Sequence, residues 1–232
     1  MKKDLIVSEC FYSIQGEGQT IGIPSVFLRL AGCNLLCKSD SWICDSIEVW
    51  QKGIKTQYKD VLSKEYIEKL KGGAHLIITG GEPLLHQIKV IDYIEWFIEE
   101  FDFKPIIEIE TNGTIIPKQE LIKIVDYWNC SPKLKNSGET TKRRINDIAI
   151  KTIDRQDNAI FKFVISNEED FIEILSDYGN FIQINKVVLM PSGDTQELLE
   201  KTRLMVVNMA IKYNIRYSDR LHIVIWNQKT GV

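Results

Sequence analysis

The stretch Ala31-Gly32-Cys33-Asn34-Leu35-Leu36-Cys37, followed by Cys44-Asp45-Ser46, contains three of the five cysteines of this chain. It comes directly after residues 26–30, a short run that is apolar except for Arg29. Three thiolates on one loop can converge on a metal centre, and an iron–sulfur cluster held by three cysteines keeps one iron open for another ligand. A zinc site would need a fourth protein ligand, and buried thiols without a metal are the remaining interpretation.

The composition is that of an ordinary soluble globular protein. The 232 residues are 44% hydrophobic and 26% charged, and the formal net charge is -3, so nothing indicates binding to nucleic acid or to a membrane surface. No apolar run approaches the roughly 20 residues of a membrane span, and the N-terminus lacks the apolar segment of a signal peptide. We therefore expect a cytoplasmic protein with reduced thiols, and the odd number of cysteines argues against a complete set of internal disulfides.

Apolar runs typical of strands alternate with helical patterns along the chain. Ser63 and Asn167 are predicted N-caps, and Asp194 with Glu197 resembles a capping box. Helices are predicted at residues 63–70, 91–101, 119–128, 167–178 and 194–213. Strands are predicted at residues 5–11, 25–30, 74–79, 105–109, 129–133, 159–165, 186–190 and 221–226.

Two polar segments are predicted to be irregular. Residues 51–60 show no clear period, and residues 135–146 contain the basic triplet Lys142-Arg143-Arg144, which we expect to face solvent. The repeated alternation of strands and helices favours an α/β fold with mainly parallel strands. We predict a partial or modified (β/α)6 barrel made by a single domain over residues 1–232.

Polar clusters follow the predicted strands at the ends where the strands finish. These are the cysteine loop and residues 80–83, 110–113, 131–133 and 190–193. In α/β barrels ligands bind at the C-terminal ends of the strands. Five clusters at the same edge of one sheet therefore predict one composite site.

Six short motifs stand out along the chain. They are Gln15-Gly16-Glu17-Gly18, Arg29-Leu30-Ala31-Gly32-Cys33-Asn34, Cys44-Asp45-Ser46, Thr79-Gly80-Gly81-Glu82-Pro83, Glu110-Thr111-Asn112-Gly113 and Ser131-Pro132-Lys133. Together they resemble the 7-carboxy-7-deazaguanine synthase family of the radical S-adenosylmethionine superfamily. The spacing of Cys37 and Cys44, with six residues between them, departs from the superfamily's usual C-x3-C-x2-C pattern, and Met190 is a smaller departure.

The resemblance implies three cofactors. A 4Fe–4S cluster would be held by Cys33, Cys37 and Cys44, and Mg2+ would be bound by Ser46. S-adenosylmethionine would chelate the open iron, and electron transfer to it would generate a 5′-deoxyadenosyl radical. The implied binding residues of S-adenosylmethionine are Gly81, Glu82, Ser131, Pro132, Lys133, Met190, Pro191, Ser192 and Gly193.

The resemblance also implies a substrate, a reaction and partners. 6-Carboxy-5,6,7,8-tetrahydropterin would be converted to 7-carboxy-7-deazaguanine and ammonia on the route to deazapurines such as queuosine. Arg29 and Glu110 would be catalytic, an electron donor such as flavodoxin or ferredoxin would reduce the cluster, and the protein would be a homodimer. The implied substrate-binding residues are Ile14, Gln15, Gly16, Glu17, Arg29, Thr79, Glu110, His222 and Val232.

Two other functions remain open on the sequence. A glycyl-radical enzyme activating protein has a similar cysteine loop and a Gly-Gly-Glu-Pro motif, but it acts on a partner protein. Gln15 to Gly18 and Arg29 favour a small anionic substrate instead. A non-enzymatic zinc- or cluster-binding module is the second alternative, and iron and sulfide analysis would distinguish it.

Overall fold

The run of residues that precedes the cysteine loop is the second strand of a mixed sheet. A computed structural model describes residues 3–39, 44, 47–229 and 231 of the chain. Within these residues the strands are β1 (Asp4–Ile14), β2 (Pro24–Leu30), β3 (Ile54–Gln57), β4 (His75–Gly80), β5 (Ile107–Thr111), β6 (Tyr127–Cys130), β7 (Ala159–Ile165), β8 (Val187–Pro191) and β9 (Arg216–Tyr217).

The nine strands of the described residues form one sheet in the order β3-β1-β2-β4-β5-β6-β7-β8-β9. β1 runs antiparallel to both β2 and β3, whereas every pairing from β2 through β9 is parallel. Over these residues the sheet is open, with β3 and β9 at its edges. The predicted α/β fold, a partial barrel of mainly parallel strands, is confirmed.

Helices connect the parallel strands, as crossover connections between such strands require. Two predicted N-caps are confirmed, because the side chains of Ser63 and Asn167 accept hydrogen bonds from the backbone N–H groups of Tyr66 and Asp170. The helices are α1 (Ile47–Trp50), α2 (Tyr58–Val61), α3 (Lys64–Lys71), α4 (Gln87–Phe101), α5 (Gln119–Ile124), α6 (Thr141–Arg144), α7 (Asp147–Asp154), α8 (Glu168–Glu173), α9 (Gln196–Tyr213) and α10 (Leu221–Trp226). None of the helices in the described part of the chain has the length and apolar character needed to cross a bilayer.

The two faces of the parallel strands carry different chemistry. Successive residues of a strand point to opposite faces of the sheet. On one face, residues such as Ile78, Ile109 and Phe163 belong to the main hydrophobic core. The other face carries Glu108 and Glu110 on β5 and Lys162 on β7, all in short strands that are otherwise mostly apolar. The polar face is therefore the inside of the partial barrel.

The C-terminal apolar run forms a helix and not the predicted strand. Residues 221–226 are α10, which buries Ile223 and starts directly after Arg220. The last strand is instead the short β9, which pairs with β8 at Val188 and Leu189. A short apolar run fits a strand and a buried helix equally well, so its periodicity could not decide between them.

Several other element boundaries also differ from the prediction. Residues 51–60 are not irregular throughout, since β3 pairs with β1 and α2 begins at Tyr58. The helix predicted at 119–128 ends at Ile124, because Trp128 is buried in β6 beside Ile109 of β5. Helix α9 is capped by Thr195, whose side chain accepts from the N–H of Leu198, and not by Asp194.

The segment 135–146 is also not an exposed loop. It contains α6, and Arg144 of the basic triplet is only 3% exposed. Its Nη2 atom lies 2.8 Å from Glu173 and 2.6 Å from Asp177. The expectation that the whole triplet faces solvent is wrong, because this arginine is neutralised by two carboxylates from the α8 region.

Candidate active site

The inside of the partial barrel contains a cavity of about 480 Å³ at the C-terminal ends of the parallel strands. Cys33, Cys37 and Cys44 all line it, together with Arg29 of β2 and Glu110 of β5. Residues from five different strand ends thus meet at one place, as the position of the polar clusters predicted. The other predicted residues that line this cavity are Ile14, Gln15, Gly16, Glu17, Thr79, Gly81, Ser131, Lys133, Met190 and His222.

The cysteine loop is shaped by its own backbone. The N–H of Cys44 donates to the carbonyl of Cys37 at 3.0 Å, which brings the second and third cysteines together despite the six intervening residues. The N–H of Leu35 donates to the Sγ atom of Cys33 at 3.5 Å. All three thiols are free, Cys37 is buried, and Cys33 and Cys44 are half-buried.

The donor set fits an iron–sulfur cluster. Burial raises the pKa of the Cys33 thiol, and it raises that of Cys37 to about 11, although Lys133 opposes both shifts. Such buried thiols ionise when a positively charged metal group binds them. Among the described residues, no three His, Cys, Asp or Glu side chains are close enough to share a single metal ion. This finding concerns only a site for a single metal ion. The three cysteines of an iron–sulfur cluster each bind a different iron atom, so they need not meet at one point.

Gly81, directly after β4, allows the cysteine loop to pack against the sheet. A Cβ atom on Gly81 would lie in contact with the carbonyl of Gly32 and 2.6 Å from the Cβ atom of Cys33. The N–H of Glu82 donates to the carbonyl of Gly32 at 2.9 Å. The loop that carries the first cysteine occupies the space that a side chain at position 81 would need, so this position requires glycine.

Glu82 holds two strand ends together. Its carboxylate is fully buried and accepts from the N–H of Leu84, the hydroxyl of Thr111 and the N–H of Asn112 at 2.7–3.0 Å. Burial raises its pKa to about 7, although these three donors oppose the shift. The structure thus places Glu82 beneath the cavity, where it fixes the loop after β5 to the loop after β4.

A layer of alternating charges forms the inner wall of the cavity. The Nζ atom of Lys162 lies 3.0 Å from Glu17 and 2.7 Å from Glu110. Glu17 also accepts from the Nε atom of Arg220 at 3.0 Å, and Glu110 accepts from the side-chain amide of Gln15 at 3.0 Å. We call these five residues the upper polar layer.

The two carboxylates of the upper polar layer titrate differently. Burial opposes ionisation of Glu17, but Lys162 and Arg220 hold its pKa well below the usual range. Burial raises the pKa of Glu110, and Lys162 opposes this shift while the charge of Glu17 adds to it. The pKa of Lys162 is raised despite its burial, because both carboxylates face it. The ammonium is therefore retained.

A second group of polar side chains lies one layer deeper. Glu108, fully buried, contacts the Nδ1 atom of His75 at 2.5 Å and accepts from Thr20 and Asn129 at 2.8 Å each. We call these four residues the lower polar layer. They connect β4, β5 and β6 to the turn that follows Glu17.

Arg29 reaches the cavity from β2. Its Nε atom donates to Glu9 of β1 at 2.7 Å, and 17% of its side chain is exposed. Arg29 and Glu9 both line the cavity, as do Ile14 and Thr79. The arginine thus lies in the cavity wall and not on the solvent face of the sheet.

The predicted residues on the β6 and β8 side divide between two cavities. Ser131 and Lys133 line both the main cavity and a neighbouring one of about 290 Å³, which Pro132 and Ser192 also line. Pro191 is buried at the end of β8. The carbonyl of Gly193 accepts from the Nη1 atom of Arg220 at 2.7 Å. Ser46 and Val232 lie outside the described residues.

The chain is similar to known proteins over almost its whole length. A relative in Halobacterium salinarum, "7-carboxy-7-deazaguanine synthase", is 32% identical over 96% of this chain and 91% of its own. A relative of the same name in Pyrobaculum aerophilum is 32% identical over 97% and 96%. The chain belongs to the 7-carboxy-7-deazaguanine synthase family. Residues 14–145 also match a family model described as a 4Fe-4S single cluster domain.

The fold agrees with this membership. The crystal structure of QueE from Escherichia coli superposes with a TM-score of 0.68 at 24% identity, over 94% of this chain and 95% of that one. As a 7-carboxy-7-deazaguanine synthase family member the chain is an enzyme, and its family implies a 4Fe–4S cluster and S-adenosylmethionine as cofactors. The resemblance inferred from the motifs is confirmed.

Some residues of the cavity wall of this family member were not predicted from the sequence. Lys162 and Arg220, both in the upper polar layer, line the cavity, and neither was assigned to the site. Lys162 carried a signal, since it is the single charge in β7, a strand of otherwise apolar residues. Arg220 stands before an apolar run that was itself predicted wrongly, so its position gave no indication.

Proposed function

We propose that this enzyme converts 6-carboxy-5,6,7,8-tetrahydropterin to 7-carboxy-7-deazaguanine and ammonia in the biosynthesis of deazapurines such as queuosine. The observation that carries the proposal is that one cavity contains three free thiols, a wall arginine and the upper polar layer. The product equals the substrate minus ammonia, so the reaction needs no external oxidant. A cavity of about 480 Å³ has the size of a small-molecule site.

Glu110 would recognise the pyrimidine edge of the pterin. That edge presents N–H donors, and Glu110 offers a carboxylate already held by Gln15 and Lys162. Burial raises the pKa of Glu110, and Lys162 opposes this shift, so the lysine favours the ionised form of this acceptor. Gln15 would act as a positioning residue, since its amide fixes one oxygen of the same carboxylate.

Arg29 would bind the carboxylate of the substrate. A guanidinium can donate two parallel hydrogen bonds to a carboxylate. Its Nε atom donates a hydrogen bond to Glu9, and this contact orients the whole guanidinium, including its two Nη atoms. Thr79 lies on the adjacent strand, β4, directly opposite Arg29 in the β2–β4 pairing. Both side chains would therefore contact the same end of the substrate.

The cysteine side of the cavity would hold the cofactors. Cys33, Cys37 and Cys44 would ligate the cluster, and Ser131, Lys133 and Met190 would contact S-adenosylmethionine from the ends of β6 and β8. When bound, the two cofactors supply the radical that abstracts hydrogen from carbon 6 of the substrate. The residues of this chain bind and orient the reactants and keep water out.

The C-terminal segment would cover the substrate. Arg220 is tied to Glu17, the N–H of Leu221 donates to the carbonyl of Gly16, and His222 lines the cavity. These contacts join the loop after β1 to α10. Val232 is proposed as a substrate contact on the family resemblance alone.

Several further assignments are proposals that rest on the same resemblance. Mg2+ would be bound by Ser46, a small electron-transfer protein such as flavodoxin or ferredoxin would reduce the cluster, and the enzyme would act in the cytoplasm as a homodimer. Pro132, Pro191, Ser192 and Gly193 are proposed contacts of S-adenosylmethionine, and Gly81 and Glu82 would support that site from the loop after β4.

The test is an anaerobic assay of the reconstituted protein with dithionite, S-adenosylmethionine and the carboxytetrahydropterin. Mass spectrometry should detect 7-carboxy-7-deazaguanine and ammonia in equal amounts. Cleavage of S-adenosylmethionine without any deazapurine would contradict the proposal and would favour the activating-protein alternative. A protein that retains no iron or sulfide after reconstitution would contradict both.

A further inference from the structure

We propose that Glu139 is a positioning residue for the iron–sulfur cluster, and that with Arg143 it holds the cysteine loop in place from the side of α6. The inference rests on the proposed function only in that Cys33, Cys37 and Cys44 hold the cluster. It concerns the segment that the sequence had suggested to be an exposed loop. We call residues 138–143 the clasp.

The clasp contacts the backbone on both sides of Leu35. The N–H of Leu36 donates to the Oε1 atom of Glu139 at 2.5 Å, and the Nη2 atom of Arg143 donates to the carbonyl of Asn34 at 2.8 Å. Arg143 and Glu139 also pair with each other at 3.3 Å. The Glu139–Arg143 ion pair therefore holds the N–H of Leu36 and the carbonyl of Asn34, which both lie between Cys33 and Cys37.

Glu139 is a buried acidic residue in the clasp, whose other residues are exposed. The residue is 7% exposed, so its carboxylate needs partners. Its described partners are a backbone N–H of the cysteine loop and the exposed guanidinium of Arg143. The burial of this charge is thus explained by its contacts with the cysteine loop.

The two segments approach closely enough to require glycine. Gly138 has a φ of 78°, in the left-handed region, and a Cβ atom at this position would collide with the carbonyl of Lys38. A side chain at position 138 would therefore push the clasp away from the loop, directly beyond Cys37.

Both sides of the cysteine loop are tied to the rigid part of the fold. On the clasp side, Arg144 donates to the carbonyl of Lys133 and is neutralised by Glu173 and Asp177. On the opposite side, the side-chain amide of Asn34 donates to the Thr114 hydroxyl at 2.7 Å. The loop is held between the segment after β6 and the segment after β5, so loss of Glu139 frees one side only.

The experiment compares cluster retention in three variants. Glu139→Ala removes the acceptor for Leu36, whereas Glu139→Gln retains an oxygen that can accept the same hydrogen bond. Lys142→Ala, which changes an exposed residue of the clasp, is the matched control. After anaerobic reconstitution, iron release to a ferrous chelator is followed without substrate, and the reduced cluster is examined by electron paramagnetic resonance.

Glu139→Ala should release iron about tenfold faster or more, the size expected for a lost hydrogen bond to a charged group, and its resonance spectrum should change. Glu139→Gln should restore the rate to near that of the unchanged protein, and Lys142→Ala should have no effect. If Glu139→Ala does not fold, Arg143→Ala should show the same direction of change, because that side chain is 53% exposed and leaves the core intact. An unchanged iron-release rate and spectrum in Glu139→Ala, or in Arg143→Ala where the former is unfolded, would overturn the proposal.

Failure of the proposed function gives a different result. Since iron release is measured without the pterin, a protein that showed these differences but formed no deazapurine would contradict the proposed reaction and leave the clasp supported. Formation of deazapurine together with equal iron-release rates in all variants would support the proposed reaction and contradict the role of the clasp.

Discussion

The ammonium of Lys162 lies 2.7 Å from a carboxylate oxygen of Glu110, and only 2% of the lysine side chain is exposed. Lysine is rarely buried to this extent, because removing its charge from water is costly unless it is paired. Here Glu17 supplies a second carboxylate at 3.0 Å. The two carboxylates explain how a lysine so fully buried keeps its charge, since they raise its pKa against the effect of burial.

Replacement of Lys162 by Met should change both pH dependence and stability. Lys162 lowers the pKa of Glu110 against the effect of burial, so its removal should move the acid limb of the kcat/KM profile to higher pH. Unpaired buried carboxylates should cost roughly 3–5 kcal/mol of the free energy of unfolding. Without Lys162, burial should raise the pKa of the unpaired carboxyl groups in the folded state. A group with such a raised pKa destabilises the fold as the pH rises from its ordinary pKa to the raised value. The loss of stability should therefore be larger at neutral pH than in acid.

Two measurements check this prediction. Denaturant unfolding at several pH values gives the stability, and initial rates with the pterin give the profile. Lys151→Met, which removes a half-buried lysine that pairs with Asp147, is the control and should leave the profile unchanged and the stability nearly so. An acid limb at its original position in Lys162→Met would show that Glu110 does not act as an ionised acceptor.

The three cavity cysteines should be cluster ligands, and Cys10 and Cys130 should not. Replacing Cys33, Cys37 or Cys44 by Ala should abolish the cluster's visible absorbance and all cleavage of S-adenosylmethionine. Cys10→Ala and Cys130→Ala should bind normal amounts of iron and sulfide, since Cys10 lies in β1 and Cys130 in the buried part of β6. A Cys44→Ala protein with a complete, active cluster would refute the assignment of the unusual spacing.

Arg29→Lys and Arg29→Ala should strongly impair turnover of the carboxylated pterin. Lysine retains a positive charge but cannot reproduce the two parallel hydrogen bonds of a guanidinium. Loss of a desolvated charge-assisted pair should cost about 2–4 kcal/mol, or roughly 30- to 1000-fold in kcat/KM. Both variants should still cleave S-adenosylmethionine slowly in the absence of turnover. Near-normal kcat/KM in Arg29→Ala would mean that the substrate carboxylate is bound elsewhere.

Ser46→Ala should weaken the stimulation of activity by Mg2+ while the cluster stays intact. A hydroxyl is a hard oxygen ligand of the kind that Mg2+ prefers, with a substrate carboxylate and water completing its shell. The rate is measured over a range of Mg2+ concentrations, and iron content provides the internal control. If the Mg2+ dependence does not change, the serine is not a ligand.

Arg144→Met should destabilise the fold by roughly 3–5 kcal/mol, because it leaves Glu173 and Asp177 without their buried cation. Lys142→Met, two residues earlier on the exposed side of α6, should change the free energy of unfolding by less than about 0.5 kcal/mol. Urea denaturation of the two variants side by side measures the difference. Equal stabilities would show that the two ion pairs of Arg144 contribute nothing.

The position of the site was predictable because parallel strands all end at one edge of a sheet. Cys33, Thr79, Glu110, Ser131 and Met190 come from five separate motifs, and all line one cavity. Their convergence follows from topology alone and needs no knowledge of side-chain contacts. The membership of the family followed from the same motifs.

The residues that were missed depend on contacts between distant parts of the chain. Lys162 pairs with Glu110 and Glu17, which are 52 and 145 residues away in sequence, and a single lysine in a strand gives no indication of its partner. Arg144 looks like its neighbours Lys142 and Arg143, and only the packing of α6 against the α8 region buries it. The short apolar run of α10 was ambiguous by itself, because six residues carry too little periodicity.

The lower polar layer has a consequence for redesign of the enzyme. Glu108 lies two residues before Glu110 on β5 and is bonded to His75, Thr20 and Asn129. These contacts tie neighbouring strands together beneath the residues that would touch a substrate. A library that varies Glu110, which leaves Lys162 paired with Glu17, while keeping the four deeper residues should therefore yield many folded variants, and the same separation gives natural evolution a route to new substrates without loss of the scaffold.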